Sequence, residues 1–338
     1  MRRLILVLAV FSVAGAVCAE NISVATVDVW SGLTYRGIFR VREYEDRAAR
    51  EFRYDLVSAG LADLAPDIIA IQDANPLPAY VGRLSEDLGY DAVSSVRQAG
   101  VRIGPVGLPT NLREGSALLA IRERALTQLP TGKLTGGGAG NVAAFQFGAA
   151  SNVVAAQLQI ADRPVYVFTT RWTPSPHADR DRMRNLVDRY NSGDLSGDDL
   201  LDLMGEAVDV EDRRLDEAEK TLVFINELAG QAPVILMGSF HALPGSDEIE
   251  LLREAGFVDV WQAVGRGAGT TFDPSANTNI RTFDLSSSDE PERIDYIFIR
   301  GEDIAARSVR LIFNRPTYGV FPSDHYGLYA ELRIDPAE

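Results

Sequence analysis

The segment Pro233–Ile249 (PVILMGSFHALPGSDEI) restricts what this chain can fold into more than any other. Val234 to Met237 is an unbroken apolar run, as expected of a strand covered on both faces. It stops at Gly238-Ser239-Phe240-His241, and Pro244 leads into a new helix. Ser239 and His241 are two residues apart, so an extended backbone puts both side chains on one face. A covered strand that ends in polar groups and passes directly to a helix points to an α/β fold with chemistry at a strand end.

The rest of the chain supplies matching pieces. Ile22 to Val29, Asp67 to Gln72, Asp91 to Val96, Ser116 to Ile121, Ala143 to Phe147, Val153 to Ile160 and Val165 to Thr170 read as strands, and so do Arg293 to Ile299, Val309 to Phe313 and Gly327 to Leu332. Tyr44 to Ala62, Val81 to Leu88, Ala178 to Tyr190 and Arg214 to Leu228 read as helices; the last carries Leu215, Ala218, Leu222, Ile225 and Leu228 on one stripe. Residues 98–114 read as a long Gly- and Pro-rich loop, and Gly136-Gly137-Gly138 as a flexible hairpin, because a strand rather than a helix follows. Many strands adjoin without an intervening helix. A mixed two-sheet α/β sandwich therefore suits the pattern better than a doubly wound sheet.

Residues 1–19 read as a secretory signal, with Arg2 and Arg3, an apolar stretch from Leu4 to Val13, and Val17-Cys18-Ala19 before the cleavage point. The expected product, residues 20–338, is exported to the periplasm or beyond the cell and carries no further membrane span. Cys18 is the sole cysteine of the 338 residues, so cleavage after Ala19 leaves no thiol, which excludes disulfides and zinc–thiolate sites. The 33 basic residues less Arg2 and Arg3 leave 31 against 48 acidic, a net charge of −17 that disfavours long nucleic acid as a partner. Eleven of the acids fall within 194–219, in and beyond an insertion at about 172–210, either as a solvated helical face or as a lid.

Five short motifs recur at strand ends: Thr26-Val27-Asp28, Ile71-Gln72-Asp73, Thr169-Thr170-Arg171, Gly238-Ser239-Phe240-His241, and the tail pair Arg293-Ile294-Asp295-Tyr296 with Ser323-Asp324-His325. In order and context the set resembles the endonuclease/exonuclease/phosphatase superfamily over almost the whole chain after residue 19. That resemblance implies a four-layer α/β sandwich, a site where the two sheets meet, and phosphoester hydrolysis with magnesium or manganese. It implies metal contacts for Asp28, Asp73 and Asp324, a phosphate contact for Arg171, and catalytic roles for Asp295, His325 and His241. The implied substrate is a small phosphate ester or a lipid head group.

The same comparison exposes departures. Asp28 stands in place of an asparagine, Asp73 of a glutamate, Arg171 of a histidine, Ser239 of the aspartate that serves as base, and His241 of an asparagine. Phosphoester hydrolysis needs charge neutralisation and a base for water. An arginine binds anions but does not exchange protons near neutral pH, and a serine hydroxyl is no base. His241 shares a face with Ser239 and is the candidate replacement; His177, in the insertion, reads as a surface histidine. Two readings follow: a metal-dependent phosphoesterase with a remodelled site, or a catalytically inactive module of the same fold.

Overall fold

A computed structural model of the protein describes residues 18–32, 47–98, 101–103, 106–107, 114–135, 143–145, 150–174, 180–280 and 290–337. In chain order the elements are β1 (Glu20–Asp28), α1 (Arg47–Leu64), β2 (Ile68–Ala74), α2 (Leu77–Leu88), β3 (Tyr90–Gln98), β4 (Val101–Ile103), β5 (Val106–Gly107), β6 (Glu114–Ile121), β7 (Thr127–Gln128) and β8 (Gly132–Thr135). They continue with β9 (Ala143–Phe145), β10 (Ser151–Ile160), β11 (Arg163–Arg171), α3 (Arg180–Asn191), α4 (Gly197–Ala229), β12 (Val234–Ser239), α5 (Asp247–Glu254), β13 (Val258–Asp259), α6 (Val260–Val264), β14 (Asp295–Arg300), β15 (Ile304–Ile312) and β16 (Gly327–Ile334).

Alternation along the inner strands builds the layers. In β2, Ile68 and Ala70 face one core while Ile69 and Ile71 face another, so both faces of the strand are covered. The first sheet runs β15-β16-β1-β2-β6-β3; the second runs β13-β14-β12-β11-β10-β7, with β8 also on β10. Between the sheets, Val24, Ala70 and Leu118 meet Val154, Val167 and Met237. Outside the first sheet, Tyr54, Val57 and Leu61 of α1 and Leu77, Val81 and Leu84 of α2 close a second core. Outside the second, Ala218, Leu222 and Ile225 of α4 and Ile249 and Leu252 of α5 pack on Phe168, Leu236 and Phe298. The result is the expected four-layer sandwich, helices outside two mixed sheets. Each fully buried Leu, Ile or Phe contributes about 1.5–3 kcal/mol by leaving water.

Three local expectations change. The stretch read as one loop, residues 98–114, holds the short strands β4 and β5, which are too brief to show a period. β7 and β8 escape sequence reading for the same reason. The acidic stretch and the amphipathic stripe form one 33-residue helix, α4, started by Ser196, whose hydroxyl accepts from Asp199 N. Asp198, Asp199, Asp209, Glu211, Asp212 and Glu219 are exposed along it, as a solvated face requires. Gly136-Gly137-Gly138 and His177 lie outside the described residues.

Register sets the site. β1 and β2 run parallel, with Asp28 opposite Gln72, and β11 and β12 run parallel, with Arg171 opposite Ser239. β14 is antiparallel to β12 and brings Asp295 beside Ser239. The carboxyl ends of both parallel pairs thus meet at one end of the sandwich, where α/β sheets present their sites. Buried Gln72 ties the sheets there: it accepts from Thr26 Oγ1 (3.2 Å) and donates to Thr169 Oγ1 (2.8 Å).

Candidate active site

Close packing explains the frame around Ser239. Gly238 has φ +154°, and a Cβ on it would lie 2.0 Å from Thr170 O, so glycine is needed for β11 and β12 to approach. Phe240 anchors the strand end by edge-on contacts with Trp172, Tyr296 and Phe298 at 4.7–5.5 Å. His241 then takes φ +48° and turns its ring toward Ser239, with Oγ and Nε2 3.3 Å apart. The Ser239 side chain is fully enclosed (0 % exposed), which suits a structural hydroxyl and denies it to an external substrate. Asp73 (φ +56°) and Trp30 (φ +54°) are also left-handed, so strained backbone gathers at this end of the sheets.

Asp28 and Asp73 arrive with cations already on them. Arg171 Nε donates to Asp28 Oδ2 at 2.9 Å and lies 3.7 Å from Asp73 Oδ1. Asp73 Oδ1 also accepts from Arg97 (3.1 Å), which bridges to Glu114 (2.9 Å), and Asp73 Oδ2 accepts from Ser31 N (3.1 Å). Asp28 Oδ1 accepts from Trp30 N (3.1 Å). Burial acts to raise the Asp28 carboxyl, but the charges of Arg171 and His325 outweigh it and hold its pKa below the ordinary value. Arg97, Glu114 and Ser31 carry no sequence signal for this role: Ser31 reaches Asp73 across 42 residues of chain and Arg97 across 24, while Glu114 meets Arg97 across 17.

The tail motifs converge as well. His325 Nδ1 and Asp295 Oδ2 are 2.8 Å apart, and the His325 ring stands edge-on to His241 at 5.7 Å. Burial of His325 works to lower its pKa, yet the carboxylates of Asp295, Asp28 and Asp324 together raise it to about 10. That shift favours the imidazolium at neutral pH, with Nδ1 donating to Asp295 Oδ2. Asp324 is raised to about 6 by burial and by the negative charges of Asp28 and Asp73, against the pull of His325 and Arg171. Its loop is held by residues the motifs did not reveal. Asn277 donates to the carbonyls of Ser323 and Asp324, Asn279 to those of Phe321 and Ser323, and Arg53 to that of Pro322. Thr271 Oγ1 accepts from Asp295 N.

All seven candidate residues thus gather at one end of the sandwich, but as an ion-pair lattice. A divalent cation at Asp73 would displace Arg97 and Arg171 or stand against their charges, so the residues present do not fit a metal there. Asp28, Asp324 and His325 do offer ligand atoms within 4.8 Å of one another, the group among the described residues that meets that test. Its histidine, however, holds a proton that a metal would have to remove.

The sequence pattern of the endonuclease/exonuclease/phosphatase family matches residues 25–325. The chain belongs to this family. Solved structures agree in fold. A family protein from Bacteroides vulgatus shares 16% identity at TM-score 0.61, over 94% of this chain and 100% of that one. The D. rerio TDP2 complexed with single strand DNA product shares 18% at 0.59, over 93% and 99%. A Bacteroides thetaiotaomicron mannosyl-6-phosphatase shares 15% at 0.57, over 92% and 99%. No curated protein sequence matches. At such identities the likeness fixes the family's sandwich, while the chemistry rests on this chain's own residues.

Proposed function

We propose that this chain is a non-hydrolytic member of the family, in which internal cations stand in for the metal and the sandwich serves as a binding module. The observation that carries this reading is Arg171 lodged against Asp28 and Asp73, with Arg97 on the same Asp73 oxygen. Ser239 stands where the family's aspartate base would, and its hydroxyl cannot take a proton from water.

A second reading, hydrolysis of a small phosphate ester with Mg or Mn at Asp28, Asp324 and His325, is favoured by one feature. The site holds more carboxylate than its cations balance. Asp324 is pushed up to about 6, and Asp295 Oδ1 is buried with no hydrogen-bond partner among the described residues. One experiment separates the two. The protein is titrated with Mn by calorimetry, and assayed with and without Mg or Mn on mannose 6-phosphate, p-nitrophenyl phosphate and single-stranded DNA, the first and last being groups named for similar proteins. The binding-module reading expects no Mn uptake below millimolar concentrations and no turnover. Metal-dependent turnover that His325→Ala abolishes would establish the hydrolase instead.

Export belongs to the same proposal. Among the described residues no helix is long and apolar enough to cross a membrane. N-terminal sequencing of protein secreted by a bacterial host should begin at Glu20; retention of Met1 in the mature protein would remove the signal reading.

A further inference from the structure

Strands deliver Asp295 and His325 to the site, but residues 271–279, which hold no helix and only an isolated bridge at Phe272, fasten them there. Thr271 is fully buried. Its Oγ1 accepts from both Ile294 N and Asp295 N at 3.1 Å, and its backbone carbonyl accepts from Tyr326 N at 2.6 Å. One threonine thus holds the amide of Asp295 and the amide that follows His325. Phe272 pairs with the His325 backbone and sets its ring edge-on to the imidazole at 5.2 Å.

The other end of the segment grips the loop that carries Asp324. Asn277 is also fully buried, and its amide is fully used. Nδ2 donates to Ser323 O and Asp324 O, both at 2.9 Å, and Oδ1 accepts from Asn279 N at 3.0 Å. Asn279 Nδ2 donates in turn to Phe321 O (3.0 Å) and Ser323 O (3.1 Å), and Arg53 takes Pro322 O (2.9 Å). Every backbone carbonyl from Phe321 to Asp324 is therefore held by a side chain. A loop without ladder bonds opens easily, and these donors supply the missing restraint. Asn277 is itself seated by an Asx turn: Asp273 Oδ1 accepts from Ser275 N and Ala276 N, and Asn277 N donates to Asp273 O at 2.8 Å. His325 lies between the two grips, with Asn277 on the carbonyls before it and Thr271 on the amide after it. Because Thr271 also holds Asp295, both members of the 2.8 Å pair are referenced to one segment.

We propose that Thr271 and Asn277 are positioning residues, which together set the Asp295–His325 contact and hold Asp324 and His325 within 4.8 Å of Asp28. They act through those three side chains, so their role is the same whether or not the site takes a metal.

The test reads the His325 Nδ1 proton by NMR of the full protein labelled with nitrogen-15 histidine. The chain has three histidines, so the ring region is sparse. A ring proton bonded to a buried carboxylate gives a slowly exchanging resonance far downfield, and its loss in His325→Gln assigns it. In Asn277→Ala the resonance should move upfield and exchange with water about tenfold faster or more. Thr271→Val removes the acceptor at similar size and should do the same. Asn279→Ala, at a half-buried position, should give a smaller upfield shift and supplies the readout should Asn277→Ala misfold. Val81→Ala, which empties a buried position on α2 outside the first sheet, is the control. It should lower the urea midpoint and leave the resonance where it is. A resonance unmoved in the folded clamp variants would overturn the proposal, and so would an equal shift in Val81→Ala, since either means that the segment only adds stability. The measurement contains no metal or substrate, so its outcome is separate from that of the Mn titration.

Discussion

Arg171→Met is expected to lower the unfolding free energy by about 3–5 kcal/mol in a urea titration, with the slope of the transition unchanged. Arg171 is 8 % exposed, and its guanidinium neutralises Asp28 at 2.9 Å and supports Asp73 at 3.7 Å. Methionine fills much of the same volume but leaves two carboxylates with less counter-charge in a water-poor site. The loss therefore comes from the stranded acid more than from the missing contact. The double variant Arg171→Met with Asp28→Asn should recover more than half of it, because removing both ends of a buried pair leaves no lone charge. The same substitution bears on function. With the guanidinium gone, Asp28 Oδ2 is released for a hard cation while Arg97 and Ser31 still hold Asp73, and Arg171→Met should take up Mn where the parent does not. A variant within about 0.5 kcal/mol of the parent would mean that the acids are neutralised from elsewhere, and the internal-cation account would be lost.

What could be read from the sequence divides along physical lines. Strands covered on both faces announce themselves as apolar runs, so β2, β10 and β12 were legible almost to the residue. Adjacent strands without helices between them already argued for two sheets rather than one. The five motifs lie at strand ends, and the parallel registers of β1 with β2 and β11 with β12 bring those ends together. Pairings between distant residues were not legible. Arg97 sits in β3 with nothing around it to single it out, yet it is the nearest cation to Asp73. Asn277 and Asn279 belong to none of the motifs, and only the fold shows them holding the carbonyls of Asp324 and Ser323. The eleven acids of 194–219 read as a solvated helical face or a lid, with no sign that they continue into the amphipathic stripe from Arg214 as the single helix α4. The cap at Ser196, acids in the first turn and absence of proline let one helix run through them. The departures at positions 28 and 171 were each visible alone. That they answer one another, aspartate against arginine across 143 residues, took the structure to show.

Stability should also fall as pH rises through the alkaline range, and His325 should be the reason. Its folded pKa is raised from 6.5 to about 10 by Asp295, Asp28 and Asp324, so between those values the folded state holds a proton that the unfolded state has released. Stability then declines with rising pH; the contribution of His325 is fully present below about 6.5 and gone above about 10. Within that window the loss should approach roughly 1 kcal/mol per pH unit. Asp324 adds a decline of the same sign in a separate window, from 3.8 to about 6, because its ionisation is penalised in the folded state. Urea midpoints at pH 6.5, 8 and 9.5 check the larger effect. The parent should weaken steadily, while His325→Gln, less stable at pH 6.5, should show a flat profile across the same range. Equal slopes in the two proteins would place the alkaline sensitivity elsewhere and would return His325 to the pool of neutral imidazoles, free to ligate a metal. The measurement thus bears on function as well as on stability, since a protonated His325 has no lone pair to offer a metal beside Asp28 and Asp324, and a cation there must displace that proton.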